Sequence, residues 1–295
     1  MDGGLWLSGW LHREYTYGYL GSGMFGKLRE KMGDYRKNMC ETEGEELVRV
    51  EQLVKNYGKA GESEKAESAV KVLKAVDFCV NRQEFVGIMG KSGCGKTTLL
   101  KVIGLIDKPT SGKVYFCGKS IADLWSDELS DIRRQKMGFV FQDFYLLDSL
   151  SVRENIMLPM VLDKCESRRC TEMGEEYARK FGLTHLLEKY PHELSGGEKQ
   201  RTAISRALIN NPDLILADEP TGNLDSKSGQ TVIEALEHIN QEMGKTIVMV
   251  THDPQMASHC SRILFLKDGQ ILEDLRKTGT TEMFYKQILE HMKML

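Results

Sequence analysis

The fold is decided by one stretch, Gly90-Lys-Ser-Gly-Cys-Gly-Lys-Thr97, which lies between the apolar run Phe85–Met89 and a helical pattern that opens at Thr98. It matches the pattern GxxxxGK[ST], in which glycines let backbone N–H groups curl around phosphate oxygens at a helix N-terminus. Lys96 adds a point charge near the outer phosphates, and the Thr97 hydroxyl can ligate Mg²⁺. A glycine-rich turn that matches by chance is the alternative, but the flanking strand and helix favour a nucleoside triphosphate site.

Short apolar runs alternate with helical patterns along the chain. Besides Phe85–Met89, they are residues 114–117, 139–141, 214–217, 247–250 and 263–266. Such runs, separated by helices, are typical of strands buried on both faces of a parallel sheet. An earlier strand-like pattern covers residues 47–54 and 70–80 around a hydrophilic turn at 58–68, whereas residues 150–189 show helical patterns only. The sequence therefore predicts an α/β core with an inserted helical subdomain.

A second chemical signal follows one of these runs, in Leu214-Ile-Leu-Ala-Asp-Glu219. An apolar strand that ends in two acids places Asp218 at the carboxyl edge of the sheet, where it can hold the Mg²⁺ shell. Glu219 beside it is the candidate base for an attacking water. Acids at a strand end are often solvated loop charges, so the catalytic interpretation depends on the phosphate loop.

A third signal is Leu194-Ser-Gly-Gly-Glu-Lys-Gln200, followed by a helical pattern. Ser195 is the expected N-cap, and Gly196 and Gly197 leave the backbone donors of the helix start open to an anion. By itself, SGG before a helix is more often a structural cap. With Gln142, Asn223-Leu-Asp225 and His252, however, the series resembles the ATP-binding-cassette (ABC) transporter ATPase family over residues 48–273.

This resemblance implies a fold and a set of roles. The fold is α/β, a P-loop NTPase (RecA-like) core with an antiparallel β subdomain and an inserted α-helical subdomain. Glu219, His252 and Gln142 would be catalytic, Thr97, Gln142 and Asp218 would hold Mg²⁺, and Asp225 would form the D-loop. The family also assembles as head-to-tail dimers, so Ser195, Gly196, Gly197 and Glu198 would complete the partner's site. The residues that would bind ATP are Tyr57, Gly90, Lys91, Ser92, Gly93, Cys94, Gly95, Lys96, Thr97 and Thr98, with Tyr57 stacking on adenine.

Within the family, the chain looks most similar to stand-alone ATPases of the macrolide-export and lipoprotein-release branch. Residues 138–147, 153–159 and 217–225 carry this similarity. Gln142-Asp143, residues 147–152 and the tail 283–289 look like ATPases paired with permeases for bacitracin and other peptide antibiotics. The implied partners are a second copy and an integral membrane permease, which would hold the protein on the cytoplasmic face of the cell membrane. A soluble ATP switch without transport, or the ATPase of a cell-wall, division or lipoprotein-release complex, is the alternative.

Composition excludes other classes. Among 295 residues, 40 basic side chains face 43 acidic ones, a balance that argues against a nucleic-acid partner. The longest stretch without a charge is the twelve residues 15–26, whereas a bilayer span needs about 20 apolar residues. Seven cysteines without CxxC spacing predict a reduced, cytoplasmic setting.

The chain is expected to divide into an N-terminal extension (1–44), an ABC ATPase domain (45–280, with the helical subdomain at about 143–194) and a C-terminal helix (281–295). The extension lacks steady periodicity and is expected to be poorly ordered and dispensable for catalysis. Met39 would be a natural start of the cassette, and the alternative is that the aromatic side chains before it touch the membrane surface.

Cys94 lies inside the phosphate loop, beside Lys96 and at a helix start. These neighbours predict a favoured and therefore reactive thiolate. The alternative is a small side chain packed under the loop with its sulfur inaccessible.

Overall fold

A computed structural model of the protein describes residues 45–58 and 70–293. The predicted N-terminal extension and nearly all of the hydrophilic turn at 58–68 lie outside the described residues. Numbered along the described chain, the strands are β1 (Glu46–Tyr57), β2 (Val70–Asn81), β3 (Phe85–Met89), β4 (Ser111–Phe116), β5 (Lys119–Ser120), β6 (Met137–Phe141), β7 (Leu214–Asp218), β8 (Thr246–Val250), β9 (Arg262–Lys267) and β10 (Gln270–Arg276). The helices are α1 (Lys96–Ile103), α2 (Ser126–Lys136), α3 (Val152–Leu162), α4 (Ser167–Lys180), α5 (Gly196–Leu208), α6 (Ser226–Gln241), α7 (Pro254–Ala257) and α8 (Thr281–Met292).

The strands form two sheets. The larger has the order β10-β9-β3-β8-β7-β6, and all its strands are parallel except β10, which pairs antiparallel with β9. The smaller sheet is antiparallel, with the order β2-β1-β4-β5. The predicted α/β fold is confirmed, and β3 occupies the middle of the larger sheet between β8 and β9.

The central strand is apolar because both of its faces are covered. All five residues of β3 are buried, as are all five of β8 and the first four of β7. Because these strands are parallel, their carboxyl ends lie at one edge of the sheet. The loops that follow β3, β6, β7 and β8 therefore meet at that edge.

The segment between β6 and β7 is helical, as the sequence predicts. Helix α3 begins at an N-cap, Ser151, whose hydroxyl accepts a hydrogen bond from the Glu154 N–H while the Glu154 carboxylate accepts one from the Ser151 N–H. Val152 and Ile156 are fully buried and pack in the same core as Tyr177 of α4. Among the described residues, no helix is long and apolar enough to cross a membrane.

A buried arginine fixes β9 beside the central strand. Arg262 is 1% exposed, and its guanidinium donates to both carboxylate oxygens of Asp274 on β10 at 2.7 and 2.6 Å. It also donates to the Cys79 carbonyl on β2 at 3.0 Å and lies 3.3 Å from the Glu84 carboxylate. One side chain thus ties the two sheets together close to β3.

Candidate active site

The loop after β3 curls because two of its glycines take left-handed backbone conformations. Gly93 has φ +79° and Gly95, the N-cap of α1, has φ +109°, a region that residues with a Cβ rarely adopt. Lys96 opens α1 and is 6% exposed. Its ammonium group donates to the carbonyls of Gly90 (2.9 Å) and Lys91 (3.1 Å), so the side chain folds back across the loop.

The loop also rests on β9, which explains the glycine at its start. A Cβ on Gly90 would lie 2.1 Å from the Leu266 carbonyl oxygen and 2.7 Å from the Cys94 sulfur. The Gly269 N–H in the β9–β10 turn donates to the Cys94 carbonyl at 3.2 Å. The phosphate loop is therefore shaped by residues that follow it by about 175 positions.

A cavity of about 350 Å³ opens above this loop. It is lined by Met89, Gly90, Lys91, Ser92, Lys96, Glu219, His252 and Met292. The ends of β3, β7 and β8 thus contribute to one pocket, together with the last turn of α8. Tyr57, Gln142, Ser195 and Asp225 do not line this cavity.

Glu219 and His252 both line the cavity, and their side chains are in contact. The Glu219 carboxylate lies 3.1 Å from His252 Nδ1, and its side chain is 23% exposed. Glu219 has φ +45°, and its N–H donates to the Val250 carbonyl at the end of β8. A left-handed backbone is strained for a residue with a Cβ and is common at functional sites. Glu219 therefore combines an unusual backbone conformation with a direct contact to the histidine.

Thr97 and Asp218 lie together beside this pair. The Thr97 hydroxyl donates to the Asp218 carboxylate at 3.2 Å. Burial and, to a smaller extent, the neighbouring Glu219 charge raise the pKa of Asp218, while the bond from Thr97 opposes the shift. A half-buried carboxylate with a hydroxyl beside it supplies the hard oxygen donors that Mg²⁺ prefers.

The protein offers few ligands for a metal ion. No group of three or more His, Cys, Asp or Glu side chains suited to a metal occurs in the described parts of the chain. A small set fits Mg²⁺, which usually keeps several waters and substrate phosphate oxygens as ligands. The residues present are therefore compatible with a nucleotide-bound magnesium ion rather than with a cage made by the protein alone.

The Gln142 side chain has a hydrogen-bonding partner in this structure. Its side-chain amide donates to Asn223 Oδ1 at 3.0 Å, and the Asn223 amide donates to the Gln142 carbonyl (3.1 Å) and to the Asp143 carboxylate (3.0 Å). The structure thus joins Gln142 to the segment after β7. The D-loop pattern Asn223-Leu-Asp225 does not predict this contact, because a contact across about 80 residues leaves no local signal.

The glycine pair at 196–197 begins α5, as expected. Ser195 is the N-cap, and its N–H and hydroxyl both donate to the Glu198 carboxylate at 2.8 Å. These bonds, the backbone one first, lower the pKa of Glu198. A Cβ on Gly197 would lie 3.1 Å from Ser228 Oγ, so the starts of α5 and α6 are in close contact.

Asp225 caps α6 in a similar way. Its carboxylate accepts the N–H groups of Lys227 (3.1 Å) and Ser228 (3.0 Å), and the Ser228 hydroxyl donates to it at 2.6 Å. The bond from the Ser228 hydroxyl lowers the pKa of Asp225 most, followed by that from the Ser228 N–H. In a single chain, neither helix start contributes to the lining of the cavity above the phosphate loop.

Tyr57 is fixed by two neighbours. Its hydroxyl donates to Asp107 at 2.5 Å, and the Lys55 ammonium lies 4.8 Å from the ring centroid. Burial, followed by the bond to Asp107, raises the pKa of Tyr57. The ring is 40% exposed and can still accept a planar group.

The expectation of a favoured Cys94 thiolate is wrong. Cys94 is only 8% exposed, and burial raises the pKa of its thiol more than the Lys96 charge lowers it. The sulfur packs against Gly90 under the loop, which is the arrangement that the alternative described. The sequence shows the charge beside Cys94 but not the β9–β10 turn that covers it.

Comparisons with known proteins agree with this geometry. Residues 73–222 match the family described as ABC transporter. An uncharacterized ABC transporter ATP-binding protein of Bacillus subtilis, YvcR, is 46% identical over 240 residues, which cover 81% of this chain and 93% of that protein. The bacitracin export ATP-binding protein BceA of Halalkalibacterium halodurans is 45% identical over 225 residues, covering 76% and 89%.

A similar solved structure is the dimeric, post-hydrolysis state of the ATP-binding cassette MJ0796 bound to ADP and Pi. It is 41% identical, has a TM-score of 0.71, and aligns over 79% of this chain and 100% of that one.

Proposed function

We propose that this chain, which belongs to the ABC transporter family as an ATP-binding and ATP-hydrolysing subunit, hydrolyses ATP with Glu219 and His252. The free energy of that hydrolysis drives a separate permease. The observation that carries the assignment is the 3.1 Å contact between these two side chains in the cavity above the phosphate loop. It puts a carboxylate and an imidazole where the end of a triphosphate held by that loop would lie.

The residues in and around this cavity have distinct tasks. The loop N–H groups and Lys96 bind the phosphates, and Tyr57 stacks on adenine. Glu219 accepts a proton from the attacking water, while His252 holds the carboxylate and contacts the terminal phosphate. Thr97 and Asp218, with Gln142, would hold Mg²⁺, which when bound neutralises phosphate charge.

The other half of each site comes from a second copy. Ser195, Gly196 and Gly197 lie outside the cavity of their own chain, yet they form a helix N-terminus that can bind an anion. In a head-to-tail pair, this helix start would cover the nucleotide of the partner. ATP then favours the closed pair because it contacts both copies.

The permease would dock in a second cavity, of about 490 Å³, lined by residues of α2, β6, α3 and α5 and of the segment after β6. Apolar residues that line it include Phe141, Tyr145 and Pro159, and the cations Arg133 and Arg134 lie at its border. Tyr145 is 61% exposed. This combination suits a short permease helix with apolar and acidic side chains, which would keep the ATPase on the cytoplasmic face of the membrane.

The transported substrate is proposed to be a peptide antibiotic. Support comes from the 45% identity to a protein named for bacitracin export and from the patterns at 142–152 and 283–289. Affinity purification from membranes, with identification of the permease that copurifies, tests this part. A lipoprotein-release or division complex in its place would reject it.

The test of the catalytic assignment is Glu219→Gln. The amide cannot accept a proton, so turnover should fall by about 10²- to 10⁴-fold. ATP affinity should stay within about 3-fold because Lys96 and the loop are unchanged, and an ATP-dependent dimer should accumulate. Glu193→Gln, an exposed acid before the signature, is the matched control. Turnover of Glu219→Gln near the wild-type rate would remove Glu219 as the base.

A further inference from the structure

The segment that follows β6 has a strained backbone. Phe144 has φ +62° and Tyr145 has φ +45°, so two consecutive residues with side chains take the left-handed conformation. This conformation is unfavourable for residues with a Cβ and persists only when surrounding contacts enforce it. The contacts that enforce it here come from a distant helix.

Arg206, on α5, supplies those contacts. Its two terminal nitrogens donate to the carbonyls of Tyr145 (2.5 Å) and Phe144 (2.7 Å). Burial lowers the pKa of Arg206. A guanidinium presents donors in a rigid fork, which matches two adjacent carbonyls in a way that a lysine cannot.

The same segment is held at its other end by Asn223, through the reciprocal bonds with Gln142 and the bond to Asp143. Space there is tight, since a Cβ on Gly222 would lie 2.9 Å from Gln142 Nε2. Residues 142–145 are therefore fixed between the helix that starts at Ser195 and the loop that follows Glu219.

The outer side of the segment faces the permease cavity. The Tyr145 ring packs edge-on against Phe141, with ring centroids 5.0 Å apart, and both rings line the cavity along with Arg206. The carbonyl of Tyr145 is thus held by α5 while its ring is exposed to a docking partner. A group that moves the ring also pulls on the bond to Arg206.

We propose that Arg206 is a positioning residue that holds residues 142–145 in the strained conformation, aligns Gln142 for hydrolysis and connects the permease cavity to the helix that begins at Ser195. This inference rests on the proposed role of Gln142. Arg206 does not line the cavity above the phosphate loop, so its effect reaches the reaction through the backbone of Phe144 and Tyr145.

The experiment measures ATP hydrolysis by the full chain with Arg206→Met and Arg206→Lys. Misplacement of Gln142 should lower kcat by about 10- to 100-fold in Arg206→Met, with an intermediate loss in Arg206→Lys. KM for ATP should stay within about 2-fold because Lys96 and Tyr57 are untouched. Arg153→Met is the control. Arg153 forms ion pairs with Glu175 and Glu188 in the helical segment between β6 and β7, so its substitution should leave kcat within about 2-fold.

A glycine rescue separates positioning from general stability. Glycine adopts positive φ without penalty, so Phe144→Gly and Tyr145→Gly, added to Arg206→Met, should restore kcat by about 3-fold or more. Hydrogen exchange should also rise by about 10-fold at residues 142–147 of Arg206→Met and nowhere else.

Three results overturn the proposal: an unchanged kcat in Arg206→Met, a loss that glycine fails to restore, or exchange that rises across the whole chain. Gln142→Ala distinguishes the two levels of the inference. If it keeps full activity, the role of Gln142 is wrong; if it loses activity while Arg206→Met does not, only the role of Arg206 is wrong.

Discussion

The acids at the carboxyl edge of the parallel sheet and the acids that cap α5 and α6 differ in how they are satisfied. Asp218 receives one bond, from Thr97, and burial raises its pKa. Glu198 and Asp225 each accept several bonds from their own helix start, and those bonds lower their pKa values. The first region carries charge that a bound ligand must neutralise, whereas the second is complete before any ligand arrives.

This difference has opposite consequences for stability. A group whose pKa is raised on folding destabilises the folded state once it ionises, and one whose pKa is lowered stabilises it. Activity and stability should therefore conflict at the sheet edge and coincide at the helix starts. The predictions below test that contrast, from the largest effect to the smallest.

The largest effect concerns whether the two regions act in one site across a dimer. Lys96→Ala should lose nucleotide affinity by roughly 10- to 100-fold, since charge-assisted bonds to phosphate are lost. Ser195→Arg should block the partner's site. Mixed in equal amounts, the two inactive chains should recover roughly a quarter of wild-type ATPase activity, because half of the dimers are mixed and each holds one complete site.

A related control uses concentration. ATPase activity of the wild-type chain should rise more than linearly with protein concentration until the dimer is saturated. Persistent inactivity of the mixture, with both chains folded by circular dichroism, would count against the head-to-tail arrangement.

The second prediction is that Asp218→Asn abolishes ATPase activity and raises thermal stability. Removing a half-buried charge should raise Tm by roughly 2–4 °C for each kcal/mol recovered. Because folding raises the pKa of Asp218, the wild type is most stable, relative to this variant, below the unfolded pKa of about 3.9. The wild type should lose stability relative to Asp218→Asn as pH rises through the raised pKa of Asp218 in the folded state, and the difference should then stay constant.

Thermal melts at pH 3 and pH 7 check this sign, with the exposed Asp148→Asn as the control. An equal Tm difference at both pH values would show that the Asp218 charge is not the cause.

The third prediction concerns the helix starts. Ser195→Ala should lower the free energy of unfolding by about 0.5–2 kcal/mol, as loss of an N-cap does. Ser195→Asp restores a capping side chain, so it should recover part of the stability without recovering activity in trans. Urea denaturation measures the first effect and the mixing assay measures the second; equal loss of stability in both variants contradicts a capping role.

The same region should show the opposite pH dependence. The lowered pKa of Asp225 means that its stabilising effect is present above the unfolded value of about 3.9 and is lost as pH falls through the folded value. Asp225→Ala should therefore be less stable than the wild type at pH 7, and the gap should close in acid. A gap that persists at pH 2 would mean that Asp225 acts through packing instead.

The smallest effect is expected at Cys94. With a buried sulfur and a raised pKa, it should be alkylated about 10-fold more slowly than the exposed Cys117, with or without Mg-ATP. Mass-spectrometric mapping gives both rates. Rapid, ATP-sensitive labelling of Cys94 would restore the idea of a reactive thiol.

The parts that could be predicted from the sequence are those written within short stretches. Each of three features can be recognised within about eight residues: the phosphate loop, the strand that ends in Asp218 and Glu219, and the cap at Ser195. In these stretches the same few residues determine both the local conformation and the chemistry. Contacts between distant stretches could not be predicted. Such contacts depend on how the elements pack, and no spacing in the chain encodes them. They are the bonds of Gln142 with Asn223, the hydrogen bond from Arg206 to the Tyr145 carbonyl and the burial of Cys94.

The packing of β9 against the phosphate loop has a consequence for protein synthesis. A nascent chain that has left the ribosome only as far as Val250 contains most of the family motifs, yet it lacks Leu266 and Gly269, which shape the loop around Gly90 and Cys94. In that chain β3 is an edge strand, because its neighbour on one side is missing. The final shape of the phosphate loop and the covering of the central strand therefore both depend on the synthesis of β9 and the turn after it.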